Sequence, residues 1–170
     1  MTDGGDGNAE ASSANAASTA GAAATSGADD IVEAVTQRHA AIAEAFATLA
    51  SATDDEREAR FAELIDKVTR HEIAEQNVVH PVVAQEGDPG SRIAADRRTE
   101  EQEVNRAMAE LEDLGFHHPD FAKTLQTFHE TVLSHIAQEE QEEFPLLRGL
   151  PAGQRSKMAE EFARMSDAID

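Results

Sequence analysis

The sequence contains no cysteine, no tryptophan and no tyrosine. Without thiols there can be no disulfide, zinc ribbon, iron–sulfur cluster or cysteine nucleophile. Any metal must therefore be bound by histidine and carboxylate, which are ligands suited to iron, manganese and zinc. The absence of phenol and indole side chains also leaves no residue for a radical relay.

Basic residues are scarce, with 14 Lys and Arg against 34 Asp and Glu, which gives a net charge of −20. A surface this acidic repels phosphate backbones and anionic lipid, so we expect neither nucleic acid nor a membrane surface as a partner. No run approaches the roughly 20 apolar residues that a membrane span needs. The N-terminus lacks the positive and apolar regions of a secretory signal, which favours a cytoplasmic protein.

Large apolar side chains are missing from residues 2–28, which are mostly Ala, Gly, Ser, Thr, Asn and Asp. Such a segment cannot bury enough apolar area to offset its ordering entropy. We therefore expect residues 1–28 to form a disordered tail. The predicted folded parts are a helical bundle over residues 29–148 and a C-terminal helix, residues 149–170, that packs on it.

From Asp29 onward, apolar residues recur at steps of three and four, and no stretch shows the alternation of a strand. This periodicity predicts an all-α fold. The predicted helices cover about residues 30–51, 53–81, 91–114 and 121–145, with a turn at 87–90 and a short fifth helix after Pro151. Helices of this length with short connections predict an up-down-up-down four-helix bundle with an extra C-terminal helix.

A repeated motif lies in the second and fourth helices. In each, a histidine is followed by a glutamate four residues later and by a proline six residues after that: His71, Glu75 and Pro81, then His135, Glu139 and Pro145. A four-residue step places two side chains on one helical face, about one turn apart. One histidine and one carboxylate can therefore reach the same metal ion.

Both pairs lie within the apolar stripes of their helices, and His39 occupies a stripe position in the first helix. A lone stripe histidine is more often a hydrogen-bonded core residue, and one His–Glu pair could be a structural hydrogen bond. Three helices with such residues would nevertheless form a poor core without a cation, because burying an unpartnered carboxylate costs several kcal/mol. The set therefore favours metal binding.

The segment from Ile31 to Leu147 resembles the hemerythrin HHE cation-binding family through His39 and the two His-x3-Glu-x5-Pro motifs. The resemblance implies a non-haem di-iron centre between the helices, with two iron ions joined by an oxo or hydroxo bridge. It also implies terminal histidine ligands and bridging carboxylates. Carried over by position, these are His39, His71 and His135 as terminal ligands, with Glu75 and Glu139 as bridges.

The third helix departs from the family, which places a histidine there, whereas this helix has none. The family's apolar spacing puts the expected histidine at Glu101, so we predict that Glu101 supplies an oxygen ligand. The alternative is that Glu101 faces solvent and that water fills the position. A third carboxylate favours iron(III), and we therefore expect irreversible oxidation chemistry or iron handling rather than oxygen transport.

Two functions remain open. The first is a di-iron protein that binds, senses or reacts with O2, peroxide or NO, or handles iron; catalysis and oligomeric state are left open. The second is a non-enzymatic helical regulatory or interaction module with a structural metal. In that case the stripe of the C-terminal helix could be the partner surface: Met158, Phe162, Met165 and Ile169.

Several other polar residues are given no role in the site. His80 lies nine residues, or two and a half turns, beyond His71 and should face away from the site. The Glu140, Glu142 and Glu143 side chains are expected on a solvated face. Glu72 follows His71 but lacks the second histidine of the zinc-protease motif.

Overall fold

The computed structural model describes residues 29–167, and this part of the chain contains helices but no strand. The predicted tail and Ile169 lie outside the described residues. The helices are α1 (Ile31–Ser51), α2 (Asp54–Ala74), α3 (Gly87–Leu114), α4 (Phe121–Gly149) and α5 (Ala152–Asp167). Within residues 29–167, none of them combines the length and the apolar character that crossing a membrane requires.

The first two helices begin at side chains that satisfy free backbone donors. Asp30 caps α1, with one carboxylate oxygen accepting a hydrogen bond from the Val32 N–H at 3.0 Å. At the start of α2, the Glu56 carboxylate accepts from the Thr53 N–H at 3.2 Å. Carboxylates at these positions also interact favourably with the positive ends of the helix dipoles.

The bundle has two apolar clusters, one toward each end. One cluster, around Leu64 and Phe128, contains residues from each of the helices α1, α2, α3 and α4. The other, around Ile31 and Phe144, also includes Phe162 from α5. The buried histidines and glutamates of the two motifs belong to neither cluster.

Helix α5 packs against α1 and α2. Its Met158 and Phe162 side chains are buried in the same cluster as Ile31. The face that could have been a partner surface is therefore largely used within the chain itself.

Helix α2 continues into a π-helical segment at Glu75–Val79 and then a last α-helical turn at His80–Val83. The backbone N–H of His80 bonds to the Glu75 carbonyl, five residues back. A π-helical segment adds one residue to the helix, which turns later side chains back by about 100°. His80 is therefore buried and contacts Glu101, one of the predicted ligands, so the prediction that it faces away from the predicted site is wrong.

Two predicted boundaries were also wrong. Helix α4 continues past Pro145 to Gly149, and α3 begins at Gly87 rather than after a turn. Gly87 adopts a positive φ of 78°, which favours glycine. A Cβ on Gly90 would lie 2.1 Å from the Val83 carbonyl oxygen, so only glycine allows this close approach of α3 to the end of α2.

Candidate metal centre

Four of the six side chains predicted as ligands come together between α1, α2 and α4. His39, His71, Glu75 and Glu139 each offer a ligand atom within 4.8 Å of the others, and all four are buried. His39 comes from α1, His71 from α2 and Glu139 from α4. Glu75 begins the π-helical segment one turn after His71.

The distances within this group suit a shared cation better than hydrogen bonds. Nε2 of His39 lies 3.2 Å from Oε2 of Glu139, and Nε2 of His71 lies 3.1 Å from Oε2 of Glu75. These atoms are within ion-pair distance but lack the orientation of hydrogen bonds and have no other partner. Two ligands about 2.1 Å from one ion lie roughly 3.0 to 3.4 Å apart, so the donor set fits a metal.

His135 adjoins the group through the second oxygen of Glu139. Its Nε2 lies 2.9 Å from Oε1 of Glu139, whereas Oε2 of the same carboxylate faces His39. Nε2 of His135 also lies 3.5 Å from Oε1 of Glu72, a buried residue that the sequence analysis gave no role. One carboxylate thus lies between two sets of nitrogen and oxygen donors.

Two of the histidines are oriented by carboxylates on the outer side of the ring. The Nδ1–H of His39 donates to Glu140 at 2.9 Å, and that of His135 donates to Glu100 at 3.2 Å. Such outer hydrogen bonds fix the tautomer in which Nε2 is free to bind a metal. Glu140 was predicted to lie on a solvated helix face, and its side chain is 45% exposed. It nevertheless also orients His39.

Glu101 occupies a different environment from that predicted. Its Oε1 accepts a hydrogen bond from Nε2 of His80 at 2.8 Å, and its Oε2 accepts one from Gln76 at 3.0 Å. Nδ1 of His80 donates to Glu143 at 2.9 Å. Burial lowers the pKa of His80, but its hydrogen bonds to Glu101 and Glu143 and their charges have a larger effect. The pKa of His80 is therefore raised to about 10. Glu143 is thus buried rather than solvated.

The ionisation of the cluster shows how costly its carboxylates are without a cation. Burial raises the pKa of Glu75 well above its usual range, and raises that of Glu72 to about 8. Burial also lowers the pKa of His71 to about 3. Burial also opposes ionisation of Glu139, but the contact with His135 holds the pKa of Glu139 well below its usual range. Near neutral pH, protons thus occupy Glu75 and Glu72, where a bound cation could replace them, while Glu139 stays ionised beside His135.

A cavity of about 250 Å³ lies between α1, α2 and α5 and reaches His71. Its wall includes Arg38, Arg70 and Ser166. A larger cavity of about 470 Å³, lined by Phe46 and Leu125 among others, contains none of the predicted ligands. Of these two cavities, only the smaller one reaches the cluster.

An all-helical bundle with a buried cluster of histidines and carboxylates defines a class of metal-binding protein. The family model for the hemerythrin HHE cation binding domain matches residues 30–147, and the chain belongs to this family. No curated protein matches the sequence significantly.

The fold is also similar to the crystal structure of a hemerythrin HHE cation binding domain-containing protein from Mycobacterium kansasii, with a TM-score of 0.74. The match covers 82% of this chain and 86% of the other, at 17% sequence identity. The resemblance to this family and the predicted helical bundle are thereby confirmed, while an identity this low shows the fold alone.

Proposed function

We propose that the protein holds a non-haem di-iron centre that binds, senses or reacts with O2, peroxide or NO, or handles iron. The observation that carries the proposal is the convergence of buried ligand atoms that have no hydrogen-bond partner. They belong to His39, His71, Glu75, His135 and Glu139. Unpartnered buried polar atoms are rare in folded proteins, and a bound cation explains why these lie together.

The donor types favour iron, and their arrangement favours more than one bound ion. Histidine nitrogen and carboxylate oxygen suit iron, whereas the absence of cysteine removes the thiolate ligands of many structural zinc sites. Glu139 directs one oxygen toward His39 and the other toward His135. A carboxylate placed in this way could hold two ions at once.

The cavity beside His71 supports a reactive rather than a closed site. It gives a small molecule a route past Arg38 and Arg70 toward one of the proposed ligands. A bound pair of iron ions would supply Lewis-acid and redox chemistry. The chain itself would orient the ligands through Glu140 and Glu100 and would exclude bulk water with the Phe162 ring, whose centroid lies 6.2 Å from that of His71.

The first experiment is elemental analysis of protein produced with added iron, beside a His71→Ala/His135→Ala variant. We expect about two iron ions per chain in the parent and their loss in the variant. His118→Ala is the matched control, because His118 is exposed and lies outside the cluster. A parent that contains no metal would contradict the proposal, and zinc in place of iron would contradict the iron centre.

The second candidate is a structural metal in a non-enzymatic module, which the nearly complete burial of the ligands favours. A purely structural site should be saturated by protein ligands and inert to small anions. Adding azide or peroxide to the iron-loaded protein separates the two candidates. New visible absorption supports the reactive centre, whereas an unchanged spectrum supports the structural one.

A further inference from the structure

We propose that the cavity of about 470 Å³, which lies where α1 ends and α4 begins, binds an aromatic carboxylic acid in its anionic form. This site is separate from the proposed metal centre, because none of the predicted ligands lines it. Its volume falls within the range of roughly 300 to 1,000 Å³ that is usual for small-molecule sites, and an acid with one or two rings fits within it.

The wall of the cavity is built largely from aromatic rings. Phe46, Phe116 and Phe121 all line it. The rings of Phe116 and Phe121 meet edge to face with centroids 5.7 Å apart, and the Phe46 ring lies 4.3 Å from that of His129. An aromatic ligand can pack against such rings in the same edge-to-face or offset geometry. Because Phe46 and Phe121 are buried core residues, this wall is in place before a ligand arrives.

The polar part of the lining carries positive charge and hydrogen-bond donors but no acid. Arg57, His118 and His129 line the cavity, whereas none of its twelve lining residues is Asp or Glu. Asp and Glu make up 34 of the 170 residues of the chain, or one in five, so twelve residues at that frequency would include roughly two. The cavity is thus an exception on an acidic protein and favours an anionic ligand.

Arg57 has hydrogen-bonding capacity left for a ligand carboxylate. Its Nη1 pairs with Asp54 at 2.8 Å, but the Asp54 side chain is 79% exposed, and such pairs are weak. Within residues 29–167, the Nε and Nη2 groups of Arg57 make no further ion pair or hydrogen bond. A guanidinium group can hold a carboxylate through two parallel hydrogen bonds, so Arg57 is the proposed partner of the ligand's charge.

His118 supplies a second donor from a different element. The backbone N–H of Asp120 donates to Nδ1 of His118 at 3.2 Å, so a neutral His118 ring carries its proton on Nε2. Arg57 belongs to α2, whereas His118 lies in the connection before α4. Two polar groups from separate elements beside an apolar wall are the arrangement that fixes the orientation of a small ligand.

Other occupants fit this cavity less well. Residues 2–28 of the chain contain no large apolar side chain that could fill it. A second copy of the chain carries the same net charge of −20, and this charge opposes association. A small aromatic anion satisfies both the rings and Arg57 with far less charge repulsion.

Calorimetric titration with naphthoate tests the proposal, and naphthamide is the matched ligand with the same rings but no charge. The full chain is titrated with and without iron, so that binding in the cavity is distinguished from binding to a metal ion. We expect a single naphthoate per chain, with the same affinity in both forms of the protein. Naphthoate should bind about tenfold more tightly than naphthamide, because its hydrogen bonds to Arg57 involve two charged groups.

Two substitutions locate the site. Arg57→Gln should weaken naphthoate binding about tenfold and leave naphthamide binding almost unchanged. Arg60→Gln is the control, because Arg60 lies on the same helix and pairs with Glu63 outside the cavity. Ala122→Phe fills the cavity from an exposed position and should abolish binding of both ligands. Circular dichroism and iron content should be the same in every variant.

Three results would overturn the proposal. If naphthoate binds no better than naphthamide, or not at all, the cavity does not recognise an aromatic carboxylate. If naphthoate binds only with iron present, or binds Ala122→Phe as it binds the parent, it occupies another site. If the parent is a dimer in sedimentation equilibrium and Ala122→Phe is a monomer, the cavity is an interface between two copies. The metal centre is tested separately by its iron content.

Discussion

His39 is held between the interior cluster and the helix surface by Glu140, whose Oε1 accepts a hydrogen bond from Nδ1–H at 2.9 Å. The opposite ring nitrogen, Nε2, is buried without a hydrogen-bond partner and faces Glu139. An outer carboxylate on a metal-binding histidine fixes the ring and increases its basicity. The exposed side of α4 therefore contributes to the proposed site.

Replacing Glu140 with glutamine should weaken metal binding while leaving the number of bound ions unchanged. We expect a loss of about 10- to 100-fold in affinity, which is typical when the outer partner of a ligand histidine is removed. Competition with a coloured chelator measures it. Glu130→Gln on the same helix is the control, since Glu130 contacts Gln126 and not a ligand. Equal affinities in the two variants would show that Glu140 has no such role.

Truncating Phe162 to alanine should destabilise the protein and loosen the site. Phe162 is 1% exposed, packs in the cluster that contains Ile31, and places its ring beside His71. Loss of a buried aromatic side chain costs roughly 3–5 kcal/mol, which urea unfolding of the metal-free protein would measure. Bound iron should also pass to a chelator faster. Leu133→Ala, at an exposed position, should have little effect on either quantity.

Alanine at Gly90 should be strongly unfavourable. The added methyl group would lie 2.1 Å from the Val83 carbonyl oxygen, which is backbone and cannot rotate away. Overpacking of this kind costs about 1–3 kcal/mol of unfolding free energy. Gly153→Ala is the control, because a Cβ at Gly153 meets nothing within 4 Å. A Gly90 variant as stable as the control would contradict the close approach of α3 and α2.

The ion pair between Asp30 and Arg155 should make part of the stability depend on acid pH. Their Oδ2 and Nε atoms lie 2.6 Å apart. Partial burial favours the neutral form of Asp30, but Arg155 and the Val32 N–H have a larger effect in favour of the charged form. The pKa of Asp30 therefore lies below 3.8. The charged form therefore stabilises the fold above about pH 3.8, and this contribution is lost as the pH falls through the lower value of the folded state.

The Asp30→Asn variant isolates this charge, because asparagine keeps the helix cap. Its unfolding free energy should be below that of the parent by up to about 1 kcal/mol near pH 7, as for exposed pairs. The difference should shrink once the pH falls below 4. A difference that stays constant from pH 7 to pH 3 would rule out the charge as its source.

Much of the fold could be predicted because the helices follow simple periodicity. Val35, His39 and Ile42 share one face of α1, and all three are buried. The same rule placed His71 with Glu75, and His135 with Glu139, on interior faces. A four-residue step in a regular helix leaves little freedom in direction, so these side chains could be assigned to the interior without knowing how the helices pack.

The rest of the cluster depended on features that periodicity does not contain. Glu72 lies one residue off the stripe of α2, and only the position of α4 shows that it meets His135. His80 was assigned to the wrong face because a regular helix would have directed it outward. The π-helical segment that turns His80 inward by about 100° has no clear signal in the sequence beyond Pro81, which lacks a backbone N–H. Glu101 was placed inside correctly, but its contact with His80 follows from that same segment.

The π-helical segment is in effect an insertion of one residue inside a helix rather than in a loop. Deleting any single residue from 75 to 79 would turn His80 through about 100° and take it away from Glu101 and Glu143. In a regular α-helix of the same length, the residue at this position would instead face outward. The number of residues before Pro81, as much as their type, therefore decides which histidine lies in the interior of this chain.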